Sequence, residues 1–416
     1  MKNDIIELLE ETHESLISDP SIFDSLIESK RRIAMHCNEY PIITDEFWTS
    51  KQRQASSIHE VSYRACFKPQ LPNFFINRFT KPGDIVYDPF SGRGTTAIEA
   101  ALCGRNVIIN DVNPLSIMLT IPRIRIPLLK DIESRLASIK LYKDRKADID
   151  LSMFYHPDTE SELVSIRDYL IERKANGRGD YVDDWLRMVA TNKLTGHSKN
   201  FFSVYTLPPN QACSQQKQIE FNEKSGRIPS YKDTKDIIII KSHQLQKDIS
   251  PEIREAMFAL GEKAMCVNSD AAKTSQIPDS CVSLVVTSPP FLDVIDYAGD
   301  NWLRCWFNNI DIKEVQESIT VTKKLDEWEL FMSSVFNEMY RVIKPGGYIA
   351  FEVGEIRKGK IKLEESIVPI GKQAGFEVLA VIINEQIFTK TSNIWGVSNN
   401  QKGTNTNRIV ILRKPQ

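Results

Sequence analysis

Two short stretches carry residue types that could do chemistry. The first is Thr287-Ser288-Pro289-Pro290-Phe291, which stops the apolar run Ser283-Leu284-Val285-Val286. A strand that meets two prolines cannot continue its ladder, because proline has no N–H and fixes its own φ. What stands at that strand end is a hydroxyl, a rigidly directed carbonyl on Pro289 and an aromatic face. The second stretch is Asp88-Pro89-Phe90-Ser91-Gly92-Arg93-Gly94-Thr95-Thr96. Its glycines let the chain turn sharply from strand into helix and let a ligand approach the backbone. Asp88 closes the first strand. Asp111 closes the next one, where a carboxylate can accept hydrogen bonds from ribose hydroxyls. The chain has no glycine loop ending in Gly-Lys-Ser/Thr, which argues against a nucleoside triphosphate. The features together suit a nucleoside without phosphates, although a purely structural turn would use the same glycines. Asp270, in Asn268-Ser269-Asp270-Ala271, is either an acceptor for an adenine amino group or a solvated loop acid.

These residues need elements to hold them. Ile85-Val86-Tyr87 predicts a short buried strand, the glycine turn follows, and a helix closes at Gly104. A second strand runs from Asn106 to Ile109, so the unit is βαβ. After about residue 265 the same rhythm returns. Strand patterns cover Val282 to Val286, Tyr348 to Val353, Glu377 to Ile383 and Asn407 to Leu412, with a helix pattern from Glu327 to Ile343 and another reaching about Gln373. Alternating strands and helices predict an α/β fold, a mostly parallel sheet covered on both faces. Residues 1 to about 50 read as polar and helical, with a break at Pro41. Between 120 and 265 helical patterns (Lys130 to Lys140, Glu160 to Lys174) alternate with loop text, which predicts an insertion. The expected divisions are an N-terminal helical extension over 1–55, a cofactor-binding half over 56–120, an inserted recognition region over 121–265 and a catalytic half over 266–416.

Composition narrows the classes. The 416 residues carry a formal net charge of −2, which excludes a globally basic nucleic-acid coat but not a local basic cleft. The seven cysteines form no CxxC pair, which predicts reduced thiols in a cytoplasmic protein, and the six histidines show no HxH or HExxH spacing, so no metal site is expected. The acidic, amphipathic N-terminus is unlike a signal or transit peptide, and no apolar run is long enough to span a bilayer.

DPFSGRGTT and TSPPF, with the Lys344-Pro345-Gly346-Gly347-Tyr348 turn behind them, resemble the exocyclic-amino DNA methyltransferases, which use S-adenosylmethionine. The resemblance covers His59 to Ser116 and Ser269 to Arg413. It implies a Rossmann-like class I methyltransferase fold with an inserted target-recognition domain. Serine before Pro-Pro resembles the N4-cytosine branch; Asp-Pro-Pro-Tyr is commoner in the N6-adenine branch. The motif order, cofactor then insert then catalysis, is less usual for the serine form, so adenine stays open as the alternative. The family's Lys-Pro pair near the methionine end of the cofactor is matched by Lys68-Pro69, its cofactor-packing aromatic by Phe90 and its ribose-binding acid by Asp111. The implied cofactor set also takes in Asp88, Gly92, Gly94, Thr95, Asn113 and Asp270. The implied catalytic set is Ser288, Pro289, Pro290 and Phe291.

An exocyclic base amine is a poor nucleophile, because its lone pair is delocalised into the ring. Acceptors aimed at its N–H groups favour a more tetrahedral nitrogen and the charge that develops on attack. Ser288 Oγ and the Pro289 carbonyl supply two such acceptors, Pro290 holds the geometry, and Phe291 offers a stacking face for a flipped base. Asp293, Asp296 and Tyr297 follow closely. Double-stranded DNA is the expected substrate and a cognate restriction endonuclease an expected partner. Arg123, Arg125, Lys130, Arg135, Lys140, Lys143, Arg145 and Lys146, then Arg167, Arg173, Lys174, Arg178, Arg187, Lys193 and Lys199, are either phosphate contacts or a solvated helical face. The loop Thr195 to Phe202 and the amides Asn210, Gln211, Gln215 and Gln216 are candidate base readers.

Overall fold

The computed structural model describes residues 32–36, 40–45, 55–64, 66–208, 212–290, 297–319, 324–356, 361–385 and 406–416. The described residues form eleven strands: β1 Arg32–His36, β2 Tyr40–Asp45, β3 Ile85–Asp88, β4 Asn106–Asn110, β5 Met265–Val267, β6 Val282–Thr287, β7 Ile343–Val353, β8 Glu355–Ile356, β9 Ile361–Lys362, β10 Glu377–Glu385 and β11 Thr406–Arg413. Nine of them form one sheet in the order β1-β2-β10-β11-β7-β6-β3-β4-β5, and β8 and β9 pair separately. From β7 to β5 all pairings are parallel, while β11 is antiparallel to both β7 and β10.

The strand sequences explain this layout. All six residues of β6 are buried, as expected of a central parallel strand covered on both faces. Val86, Leu284 and Val286 pack on one face with Ile98 and Leu71, whereas Val285, Ile349, Phe351 and Val410 pack on the other with Phe336 and Met339. From β3 the chain steps outward to β4 and β5, then returns across β3 to β6 and β7. The order therefore reverses between β3 and β6, and a crevice opens at the carboxyl ends of those two strands.

Two expectations about the chain's organisation meet a different structure. Residues 32–36 and 40–45, inside the stretch expected to be helical, are strands. They pair with each other (Ile33 with Ile43), and β2 runs parallel to β10 (Ile42 with Val381). The β-branched run Ile42-Ile43-Thr44 suits a sheet edge, and Pro41 lies near the start of β2 instead of ending a helix. The rest of the expected N-terminal helix, residues 1–31, lies outside the described residues. The second difference concerns the stretch between β4 and β5. It folds into helices at Leu129–Ser138, Pro157–Ala175, Tyr181–Lys193, Gln215–Ser225, Thr234–Leu245 and Pro251–Gly261. Their apolar side chains do not form a separate core. Trp185, Met188, Val189 and Ile238 belong to the same buried cluster as Val86, Val107 and Leu284 of the sheet.

Candidate active site

The glycine turn is built from the strand upward. Asp88 ends β3 fully buried, and its Oδ1 accepts from Thr287 Oγ1 at 2.6 Å and from the Phe90 amide at 3.1 Å. Burial pushes its carboxyl up to about 7, against the pull of those donors. Asp88 therefore ties the ends of β3 and β6 together beneath the crevice. Gly94 caps the helix Thr95–Leu102 with φ +79°, and a Cβ there would lie 2.1 Å from Thr120 Oγ1. Only glycine fits both demands. Gly92, with φ +53°, donates its amide to Asp111 Oδ2 at 2.8 Å.

Asp111 stands at the end of β4. Its Oδ1 accepts from the Asn113 amide at 2.9 Å, so each carboxylate oxygen takes one backbone N–H and keeps acceptor capacity toward the crevice. Burial raises it to about 6 despite those bonds. Beneath it the buried Asn110 side chain joins two loops. Its Nδ2 donates to the carbonyls of Pro89 and Ser269, and its Oδ1 accepts from the Ser269 amide. Asn113 Oδ1 accepts from the Leu115 amide, while its Nδ2 is buried without a partner. Asp270 Oδ1 accepts from the Ala272 amide, which holds that loop in shape.

The end of β6 is pinned residue by residue. Thr96 Oγ1 donates to the Val286 carbonyl at 3.0 Å, Thr287 donates to Asp88, and Trp328 Nε1 donates to the Pro290 carbonyl at 3.3 Å. Between these anchors Ser288 Oγ is buried beside the Glu352 carboxyl, without a hydrogen bond of normal geometry. An unsatisfied buried hydroxyl costs about 1–3 kcal/mol unless a ligand completes it.

One cleft gathers these features. Phe90, Gly92, Asp111, Asn113, Asp270, Ser288, Pro289 and Pro290 of the expected set all line it. Gly94, Thr95 and Asp88 are not in its wall: they shape the turn from below or behind. Lys68 and Pro69 are also absent from the lining; Pro69 caps the helix Gln70–Phe79 and Lys68 is exposed. Phe291, Asp293 and Asp296 lie outside the described residues, as do Asn210, Gln211 and the side chain of Tyr297. The structure adds Tyr63, Ser269, Ala271, Ser318, Ile319 and Phe331 to the walls. The segment carrying Tyr63 is held from two sides. Arg93 donates to the Val61 carbonyl and Arg304 to the Ser62 carbonyl, while Arg64 pairs with Asp300 at 2.7 Å. Phe90 and Phe331 meet edge to face across the apolar end, with ring centroids 6.4 Å apart.

The cleft fits S-adenosylmethionine. Apolar walls at Phe90, Phe331 and Ala271 suit a purine, and Asp111 suits a ribose. The unpaired Asn113 Nδ2 is a polar group that a ligand could complete. No lysine or arginine is among the described lining residues. Among the described residues no cluster of His, Cys, Asp or Glu could hold a metal, and no described helix is long and apolar enough to cross a membrane.

Most of the arginines in the inserted helices are occupied elsewhere. Arg123 and Arg187 are buried, and Arg125, Arg135, Arg145, Arg167, Arg173 and Arg178 pair with carboxylates. Lys193 is buried too, and burial with the neighbouring Lys241 lowers it to about 8. Lys130, Lys140, Lys143, Lys146, Lys174 and Lys199 are exposed. In the loop Thr195 to Phe202, His197, Ser198 and Lys199 face solvent, while Phe202 is in the core.

A mostly parallel sheet whose switch-point crevice holds a strand-end acid on one side and Ser-Pro-Pro on the other fits a class I, S-adenosylmethionine-dependent methyltransferase. The DNA methylase model of the N6/N4 methyltransferase type matches residues 19–119 and 282–415, more than half of the chain, and the chain belongs to that family. It is 23% identical to the type II methyltransferase M.BsoBI of Geobacillus stearothermophilus over 338 residues, 69% of this chain and 62% of that protein. It is 28% identical to the type II methyltransferase M.MjaII of Methanocaldococcus jannaschii over 129 residues, 30% of this chain and 22% of that protein. The chain thus spans less than two thirds of either relative. Among solved structures, the S-adenosyl-L-methionine complex of a DNA modification methylase from Thermus thermophilus aligns with 24% identity and a TM-score of 0.23, covering 36% of this chain and 54% of that one. A SAM-dependent methyltransferase from Methanosarcina mazei aligns with 12% identity and a TM-score of 0.31, covering 82% and 97%.

Proposed function

We propose that this protein transfers a methyl group from S-adenosylmethionine to the exocyclic N4 of cytosine in a specific duplex DNA sequence, as the modification half of a restriction-modification system. The observation that carries the reading is the Ser288 hydroxyl: buried, without a hydrogen bond of normal geometry, and on a residue that lines the same cleft as Asp111. The relatives' designation as type II methyltransferases supports the biological setting.

The cofactor supplies an electrophilic methyl on a sulfonium. The chain's own residues do the rest. Asp111 would accept from the cofactor's ribose hydroxyls, and Phe90 and Phe331 would enclose its base. A target cytosine flipped out of the duplex brings its amine to Ser288 Oγ and the Pro289 carbonyl. Both accept from its N–H groups and draw the nitrogen toward a tetrahedral geometry. Trp328 occupies the Pro290 carbonyl, so that group does not compete. Removing one preorganised polar contact of this kind costs about 10²–10³ in rate. No covalent link between enzyme and base is needed. Exposed lysines of the inserted stretch, such as Lys130, Lys143, Lys146, Lys174 and Lys199, are candidates to meet phosphates.

The test is methyl transfer from labelled cofactor to mixed-sequence duplex DNA, followed by digestion to nucleosides and chromatography. The expected label is in N4-methyldeoxycytidine. Label in N6-methyldeoxyadenosine would overturn the choice of base and keep the enzyme class; no label in DNA would overturn the substrate.

A further inference from the structure

Behind Ser288 lies a buried carboxylate with no assigned task. Glu352 is in β7, where Thr287 pairs with Phe351, so the register sets Ser288 beside Glu352 across the β6–β7 seam. Its residue is 7% exposed. On the other side it faces β11, where Ile409 is opposite and Asn407 Nδ2 donates to Glu352 Oε1. Burial raises the carboxyl above its ordinary range, and the Asn407 amide and the adjacent Ser288 hydroxyl draw it back down. The Cys66 thiol, in the segment before the helix Gln70–Phe79, also feels its charge. Among the described residues no cation faces Glu352. A carboxylate in such a place is costly, and the adjacent group that could draw on it is the hydroxyl of Ser288, a residue that lines the reaction cleft.

We propose that Glu352 is a positioning residue that acts through Ser288, accepting its hydroxyl proton so that the Oγ lone pairs point at the substrate amine. The inference rests on amine methylation at Ser288. It also gives the departing proton a route. As the nitrogen–methyl bond forms and the sulfonium–methyl bond breaks, an N–H proton of the amine passes to Ser288 Oγ. The Oγ proton passes to Glu352, which ends as the neutral acid. The nitrogen keeps the electron pair of its former N–H bond, the sulfonium becomes a neutral thioether, and the charges balance. Asn407 holds the carboxylate in line.

Glu352→Gln tests this in a cycle with Ser288→Ala, using the full chain and unmethylated duplex DNA at saturating cofactor. Glu352→Gln should lower turnover at least about tenfold, since positioned proton acceptors contribute roughly 10²–10⁴, with cofactor affinity unchanged. In the Ser288→Ala background it should cost nothing further, because its only route is gone. Turnover of the wild type should fall as pH drops through the carboxyl's raised titration, and Glu352→Gln should lose that limb. Glu352→Asp, which keeps the charge, should recover part of the rate. The proposal is overturned if Glu352→Gln turns over like wild type, or if the two losses multiply. If Glu352→Gln fails to bind cofactor, Glu352→Asp enters the same cycle, and a loss that multiplies with that of Ser288→Ala overturns the proposal. Full activity of Ser288→Ala would instead overturn the reading of the active site itself.

Discussion

Cofactor binding should weaken in acid, and Asp111 sets where. Its carboxyl sits at about 6 in the free protein, raised by burial. The ionised form accepts from the Gly92 and Asn113 amides and retains lone pairs for ribose hydroxyls. Binding therefore favours the carboxylate, and affinity is complete well above pH 6 and lost as pH falls through it. At pH 5 about a tenth of the sites are ionised, so the apparent dissociation constant should be about tenfold higher than at pH 7. Calorimetric titration of cofactor across pH 5–7 measures this directly. Asp111→Asn should bind weakly and with a flat profile, having lost acceptor bonds to a charged group worth about 1.5–3 kcal/mol. Asp88, raised to about 7 but outside the cleft wall, is the control: Asp88→Asn should keep the limb. A wild-type profile that stays flat from pH 5 to 7, or a limb that survives in Asp111→Asn, would refute the assignment of the ribose acid.

Three further changes have expected outcomes. Gly94→Ala puts a Cβ 2.1 Å from Thr120 Oγ1 at a left-handed φ, so it should lower the melting temperature and weaken cofactor binding together; normal binding would show that the turn has slack. Trp328→Phe keeps the ring and removes the donor to the Pro290 carbonyl, so turnover should fall several-fold while cofactor affinity holds, measured by steady-state kinetics beside calorimetry. Trp185→Ala empties a fully buried site in the core shared by inserted helices and sheet, and denaturant unfolding should show a loss of about 3–5 kcal/mol in one cooperative transition. A separate early transition of the inserted helices would contradict that shared core.

The parts of this site legible in the sequence were those whose meaning is local. Pro289-Pro290 and the Gly92/Gly94 pair declare their backbone geometry by residue type, and Asp111 declares itself by ending a strand. The parts that were not legible depend on distant partners. Ile42-Ile43 became a strand because β10, more than three hundred residues later, offers an edge. Phe331 and Trp328 lie on an amphipathic helix whose pattern says only that one face is buried, not that this face meets Phe90 and Pro290. Glu352 reads as one polar letter in Ala350-Phe351-Glu352-Val353; only the register with β6 sets it beside Ser288. The inserted arginines read equally as phosphate contacts or a solvated face, because a partner such as Asp183 for Arg135 comes from another helix.

The central claim is that Ser288 acts on the substrate amine and not on the cofactor. Ser288→Ala tests it most directly, with cofactor affinity by calorimetry and methyl transfer to duplex DNA measured on the same preparation. Affinity should stay within about twofold of wild type, and turnover should fall by about 10²–10³. Equal loss of both, or turnover left intact, would contradict it.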